Sequence, residues 1–149
     1  SVFECWGKTR DGQAILIDLI RGKWEAPELL VQARAFWAKH LTLLPMAPLR
    51  AMKVEDKVSG TGLIQTLRRE GIPMIAIQRN RDKVTRAYDT APHIESGNVF
   101  LLEGPWLSDF LDEAKLFPNG KNDDQLDPMM DAVGDILGST IIEPRIRML

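Results

Sequence analysis

Apolar residues in the first twenty or so positions fall into two dense runs, "VFECWGK" and "AILIDLIRG", rich in β-branched and aromatic side chains and separated by "TRDGQ". The Asp11-Gly12 pair between them is a strong turn signal, so the two runs predict a β-hairpin. The period then changes. In "APELLVQARAFWAKHL", Leu29, Leu30, Ala33, Phe36, Trp37 and Leu41 recur at helical spacing, and Pro27 suits a first turn, which predicts an amphipathic helix. Pro45 and Pro48 break that pattern. "LRAMKVED" then reads as a strand ending in two acids, and "SGTGLIQTLRREG" as a capped helix closed by Gly71. "IPMIAIQ" predicts a short buried strand, "RDKVTRAYDTA" a helix running until Pro92, and "NVFLL" another strand. "PWLSDFLDEAKLF" predicts a helix with Trp106, Phe110, Ala114 and Phe117 on one face. A final helix is expected to start at Asp127, because the residue before Pro128 avoids helical geometry.

Strands alternating with helices after an opening hairpin imply an α/β fold, a mixed sheet with helices packed on it. No repeat, low-complexity tract or linker interrupts the 149 residues, so a single domain over 1–149 is expected. A composition of 44% hydrophobic and 27% charged residues is that of an ordinary globular chain. No stretch approaches the ~20 apolar residues of a membrane span, and "SVFECWGKTR" is not a secretory signal, so the expected location is cytoplasmic, with no membrane partner. Cys5, the one cysteine, excludes an internal disulfide and the usual zinc patterns, and reads as a core residue. A net charge of −2 gives no general attraction for nucleic acid; any such contact needs a local basic patch.

The chemistry concentrates in two groups of acids. Glu55 and Asp56 sit where the "AMKVED" strand should end, and open α/β sheets form their sites beyond the carboxyl ends of strands. Asp123, Asp124 and Asp127 follow a Pro-Asn-Gly turn and open the last helix. If both groups converged they would repel unless a cation lay between them, and hard oxygen ligands select Mg²⁺ or Mn²⁺. Two such ions are the recurring device for phosphodiester hydrolysis. Plainer readings stand beside this one. Acids at a helix start cap free N–H groups, with Asp127-Pro128 a good cap-then-first-residue pair, and Glu55 and Asp56 can pair with Lys53 or Lys57 as surface charges. His40 and His93 have no partner spaced for catalysis and read as structural. "SGTG" lacks the Walker pattern, and the four tryptophans read as core rather than as a base-stacking surface.

In order along the chain, "ILIDLIRGKWEAPELL", "KVEDKVSGTGLIQTLRREG", "DKVTRAYDTAPHIESGNVFLL" and "FPNGKNDDQLDPMMDA" resemble the nuclease domain of the large terminase subunit of tailed bacteriophages, over residues 2 to 137. The resemblance implies an RNase H-like fold and a metal-dependent endonuclease that cuts concatemeric viral DNA during packaging, with two Mg²⁺ or Mn²⁺ ions. It implies Glu55, Asp124 and Asp127 as catalytic metal ligands, with Asp56 and Asp123 as the alternatives beside them, and Lys57, Lys83 and Arg86 as contacts to DNA phosphates. Its implied partners are double-stranded DNA, the terminase ATPase domain, the small terminase subunit and the portal protein, in the cytoplasm of a bacterial host. A catalytically inactive fragment or a DNA or portal docking module is the alternative from another class, and a junction resolvase of the same superfamily is a second enzyme alternative.

The sequence departs from that family pattern at its start. The family's first catalytic Asp lies on a strand before the hairpin, and Ser1 already falls within the hairpin's first strand. That strand is the middle of an RNase H-like sheet, between the "VFECWGK" and "AMKVED" strands. The chain is therefore expected to be a piece of a longer protein, or to have the slot filled by a partner copy or by direct closure of those two strands. Nothing resembling the family's ATPase motor is present, and the apolar, basic "IIEPRIRML" matches no motif.

Overall fold

The computed structural model describes residues 1–43 and 47–138, so the closing "IIEPRIRML" lies outside the described residues. The architecture is α/β, and the described residues form five strands and five helices in the order β1 (Val2–Lys8), β2 (Ala14–Arg21), α1 (Ala26–Leu43), β3 (Met52–Glu55), α2 (Val58–Arg69), β4 (Met74–Ile77), α3 (Lys83–Glu95), β5 (Val99–Leu101), α4 (Leu107–Leu116) and α5 (Leu126–Leu137). The strands form two sheets, β1-β2-β5 and β3-β4. Contacts divide the described residues into two compact units, the first made of Ser1 and residues 21–43 and 47–80, the second of residues 2–20 and 81–138.

The first unit is built on a β3-α2-β4 crossover. Met52, Lys53, Val54 and Glu55 pair in parallel with Met74, Ile75, Ala76 and Ile77. A parallel pair needs a long connection, and α2 supplies it, packing on both strands and on α1. Its apolar side brings in Ile64 and Leu67, while α1 buries Ala33, Phe36 and His40. His40, rather than the expected Leu41, faces inward, its ring edge-on to Phe36 at 4.7 Å. Only Met74 of β4 is buried, so that strand is covered on one side rather than both. Gly60 is required by close approach, since a Cβ there would lie 2.4 Å from the carbonyl oxygen of Glu55. Gly71 ends α2 at a φ of 87°, as its position after the last apolar residue implies.

The second unit starts with the hairpin. The turn is closed by Thr9 N–H donating to the Gln13 carbonyl at 2.8 Å, with Gly12 at a φ of 81°. β2 then pairs in parallel with β5, Ala14 opposite Val99 and Leu16 opposite Leu101. Ala14, Leu16 and Leu19 meet Trp106 and Phe110 of the α4 region and Leu126, Met129, Met130 and Val133 of α5 in one core cluster. The α5 residues follow i, i+3, i+4, i+7 spacing, a single stripe turned inward. Trp106 and Phe110 meet edge-on, ring centres 6.2 Å apart.

Three local expectations change here. α3 continues through Pro92 to Glu95; the bond lost at Pro92 would have been accepted by Tyr88, whose surroundings are open to water. On α4 Glu113 is buried along with Phe110, and Ala114 is exposed. The N-cap of α5 is Gln125, so Asp127 lies inside the first turn rather than capping it. β1 is an end strand of the β1-β2-β5 sheet, and β3 pairs with β4.

Phe110, 2% exposed at the centre of the second unit, sets the scale of that core. Phe110→Ala should lower the unfolding free energy by about 3–5 kcal/mol, read from the shift in midpoint of a urea titration.

Candidate functional site

In the first unit, parallel pairing brings the carboxyl ends of β3 and β4 to the same edge. Glu55, the last residue of β3, is mostly covered: its Oε1 meets Lys57 Nζ at 3.0 Å and its Oε2 accepts from Arg79 Nη1 at 2.6 Å. Arg79 stands two positions past β4. Asp56 is exposed and accepts from Thr61 Oγ1 at 3.1 Å and from Gln78 Nε2 at 2.9 Å. The two acids thus stand beyond the carboxyl ends of strands, as the sequence implied, each already held by neighbouring side chains.

The second unit carries the other group. Lys83 and Arg86 are three apart on α3 and share a face; Asp127 and Asp131 are four apart on α5, with Asp123 just before it. Lys83 Nζ lies 2.8 Å from Asp123 Oδ1 and 2.9 Å from Asp127 Oδ2. Arg86 donates through Nη1 to Asp127 Oδ1 and through Nη2 to Asp131 Oδ1, both at 2.8 Å. Acid and base alternate along this ladder. Arg86, Asp127 and Asp131 are each less than one-fifth exposed, so solvent screens these pairs weakly. Burial acts to lower the Lys83 pKa, but the hydrogen bonds and charges of Asp123 and Asp127 outweigh it and hold the ammonium above its ordinary value. Asp124 is half-buried beside them.

Further acids extend the group. Glu113, buried on α4, accepts from the backbone N–H of Gln125 at 2.9 Å and from its side-chain amide, which places a carboxylate at the positive end of α5. Glu4 of β1 accepts from Trp6 Nε1 at 2.7 Å, while its Oε1 is enclosed without a hydrogen-bond partner. Burial, opposed by the Trp6 hydrogen bond and reinforced by the charges of Glu113 and Asp131, pushes Glu4 up to about 8. Glu4 is therefore protonated at neutral pH.

Of the expected site residues, Asp123 and Asp127 are brought together with Lys83 and Arg86, while Glu55, Asp56 and Lys57 are grouped in the other unit. Lys57 keeps a side chain 68% exposed, against 14% for Arg86, whose donors are spent on acids. Glu4, Glu113 and Asp131 were not singled out from sequence. The signals were present: Asp131 is one turn beyond Asp127, Glu113 shares a helical face with Phe110 and Phe117, and Glu4 shares a strand face with Trp6. Among the described residues no group of three or more His, Cys, Asp or Glu is arranged to hold a metal ion.

A family model described as a terminase RNaseH-like domain matches residues 46–134, more than half of the chain. No curated protein and no solved structure matches.

Glu4 makes stability depend on pH. From about pH 4.5, its ordinary value, to about pH 8, an unfolded chain has released this proton and the folded chain keeps it, so stability falls as pH rises through that window. Glu4→Gln, which retains an acceptor for Trp6, should flatten the fall, by at most about 1.4 kcal/mol per pH unit, in urea titrations at pH 5, 6, 7 and 8.

Proposed function

Because the chain belongs to the family of terminase RNase H-like domains, we propose that it is the DNA-cutting domain of a phage terminase large subunit, an endonuclease that severs concatemeric viral DNA during packaging. The observation that carries this reading is Glu55, an acid at the carboxyl end of a parallel strand inside the matched segment. On this reading Glu55, Asp124 and Asp127 are the acids of the reaction, with Asp56 and Asp123 as their neighbours. Lys57, the most open of the three cations singled out, is the best placed to meet a DNA phosphate. The partners are double-stranded DNA, the ATPase domain, the small terminase subunit and the portal, in a bacterial host's cytoplasm. Among the described residues no helix is long and apolar enough to cross a membrane.

The group such a domain implies is Mg²⁺ or Mn²⁺, which when bound activates water and stabilises the leaving oxygen. Carboxylates are the right donors. As they stand, however, the α5 acids do not fit a two-ion site: both oxygens of Asp127 are taken by Arg86 and Lys83, and Asp123 shares the same ammonium. That pairing also favours a second reading, a module that docks DNA or the portal without cutting.

The two readings separate in a plasmid assay. With Mn²⁺ the purified chain should convert supercoiled DNA to nicked and linear forms, and both EDTA and Glu55→Ala should return conversion to background. DNA retention with no conversion under any of these conditions would replace the nuclease with the docking module.

A further inference from the structure

The geometry assigns Lys83 a role beyond pairing: it is the second unit's built-in cation, filling between Asp123 and Asp127 the position that a divalent ion would otherwise take. This rests on the nuclease reading only for the expectation that ions belong near these acids. The geometry itself is independent. One nitrogen lies 2.8 Å and 2.9 Å from oxygens of two different carboxylates, one just before α5 and one in its first turn. An ammonium is a compact point charge with three donors, which can sit between converging oxygens much as a small ion does. Arg86 takes the rest of the ladder with a planar fork that spans Asp127 and Asp131.

Charge argues the same way. Asp123, Asp127 and Asp131 carry three negative charges against the two positive charges of Lys83 and Arg86, which leaves one negative charge. Removing Lys83 would take the positive charge from between Asp123 and Asp127. An ion entering the intact ladder would have to expel an ammonium tethered to α3, 27% exposed and held by two carboxylates. It would also have to gather oxygens at roughly 2.0–2.1 Å, the Mg²⁺ distance, closer than the ammonium needs them. Because the ammonium is part of the chain, it competes at a fixed high local concentration and cannot be diluted away. Metal entry at Asp127 therefore requires the Lys83 ammonium to leave first.

The test is Mn²⁺ binding without DNA, counted from the free-ion electron paramagnetic resonance signal, on the full chain. Lys83→Met should bind one more Mn²⁺ per chain than wild type, and its thermal midpoint should rise with Mn²⁺. Lys83→Arg, which keeps the charge, should match wild type. Adding Asp127→Asn to Lys83→Met should abolish the extra ion. Equal counts in wild type and Lys83→Met would overturn the assignment. Should Lys83→Met fail to fold, wild type decides alone: an ion lost on Asp127→Asn overturns the proposal, and an unchanged count supports it. Plasmid cleavage with no extra ion in Lys83→Met would sink this inference and leave the nuclease reading intact. An extra ion in Lys83→Met with no plasmid cleavage by wild type would do the reverse.

Discussion

Half-buried carboxylates in close company repel one another, and the energy of that repulsion rises as water is excluded. The second unit places Glu4, Glu113, Asp123, Asp127 and Asp131 in one neighbourhood, so its packing is possible only because each is answered. Three answers are used. Lys83 and Arg86 pair with Asp123, Asp127 and Asp131, the backbone N–H and side-chain amide of Gln125 satisfy Glu113, and Glu4 keeps its proton. Removing one side of such a pair where solvent is scarce leaves an uncompensated charge, a loss of about 3–5 kcal/mol, whereas water screens an exposed pair such as Arg34–Glu70.

α5 is the element on which these demands meet. Leu126, Met129, Met130 and Val133 form its inward stripe, and Asp127 and Asp131 its charged one, so the same helix seals the core and fixes the acids. Its position against α3 and β1 is set from both sides, by apolar packing and by ion pairs. The acids cannot move relative to the core without breaking one or the other. In the first unit the corresponding constraint is the contact of Gly60 with the end of β3, which brings the first turn of α2 up against Glu55.

Much of this was legible in the sequence. The hairpin, the helical period of α1 and the β3-α2-β4 alternation follow from side-chain spacing alone, because local geometry decides them. The acid groups were visible as clusters, and their locations at a strand end and a helix start were readable from turn and breaker signals. What spacing does not carry is the identity of partners across elements. Asp127 has the appearance of a cap until Glu113, distant in sequence, takes the N–H of Gln125. Lys83 and Arg86 look like solvated helix charges until α5 is laid beside α3. Glu113 and His40 were passed over for Ala114 and Leu41 because residue type suggested the apolar neighbour, while tertiary contacts supplied the polar one with a reason to be inside.

The second unit is also discontinuous, and this has a cost in time rather than in stability. Ala14 pairs with Val99 across the whole of residues 21–80, so β2 acquires its second neighbour only after that intervening stretch has been closed into a loop. The entropy of closure grows slowly with loop length, but it must be met before the parallel pairing returns anything. During synthesis the hairpin is made before β5 and α5, and until they follow, its β2 edge and apolar face lack those partners. Over that interval the exposed edge of Ala14–Leu16 is a template for pairing with the wrong chain.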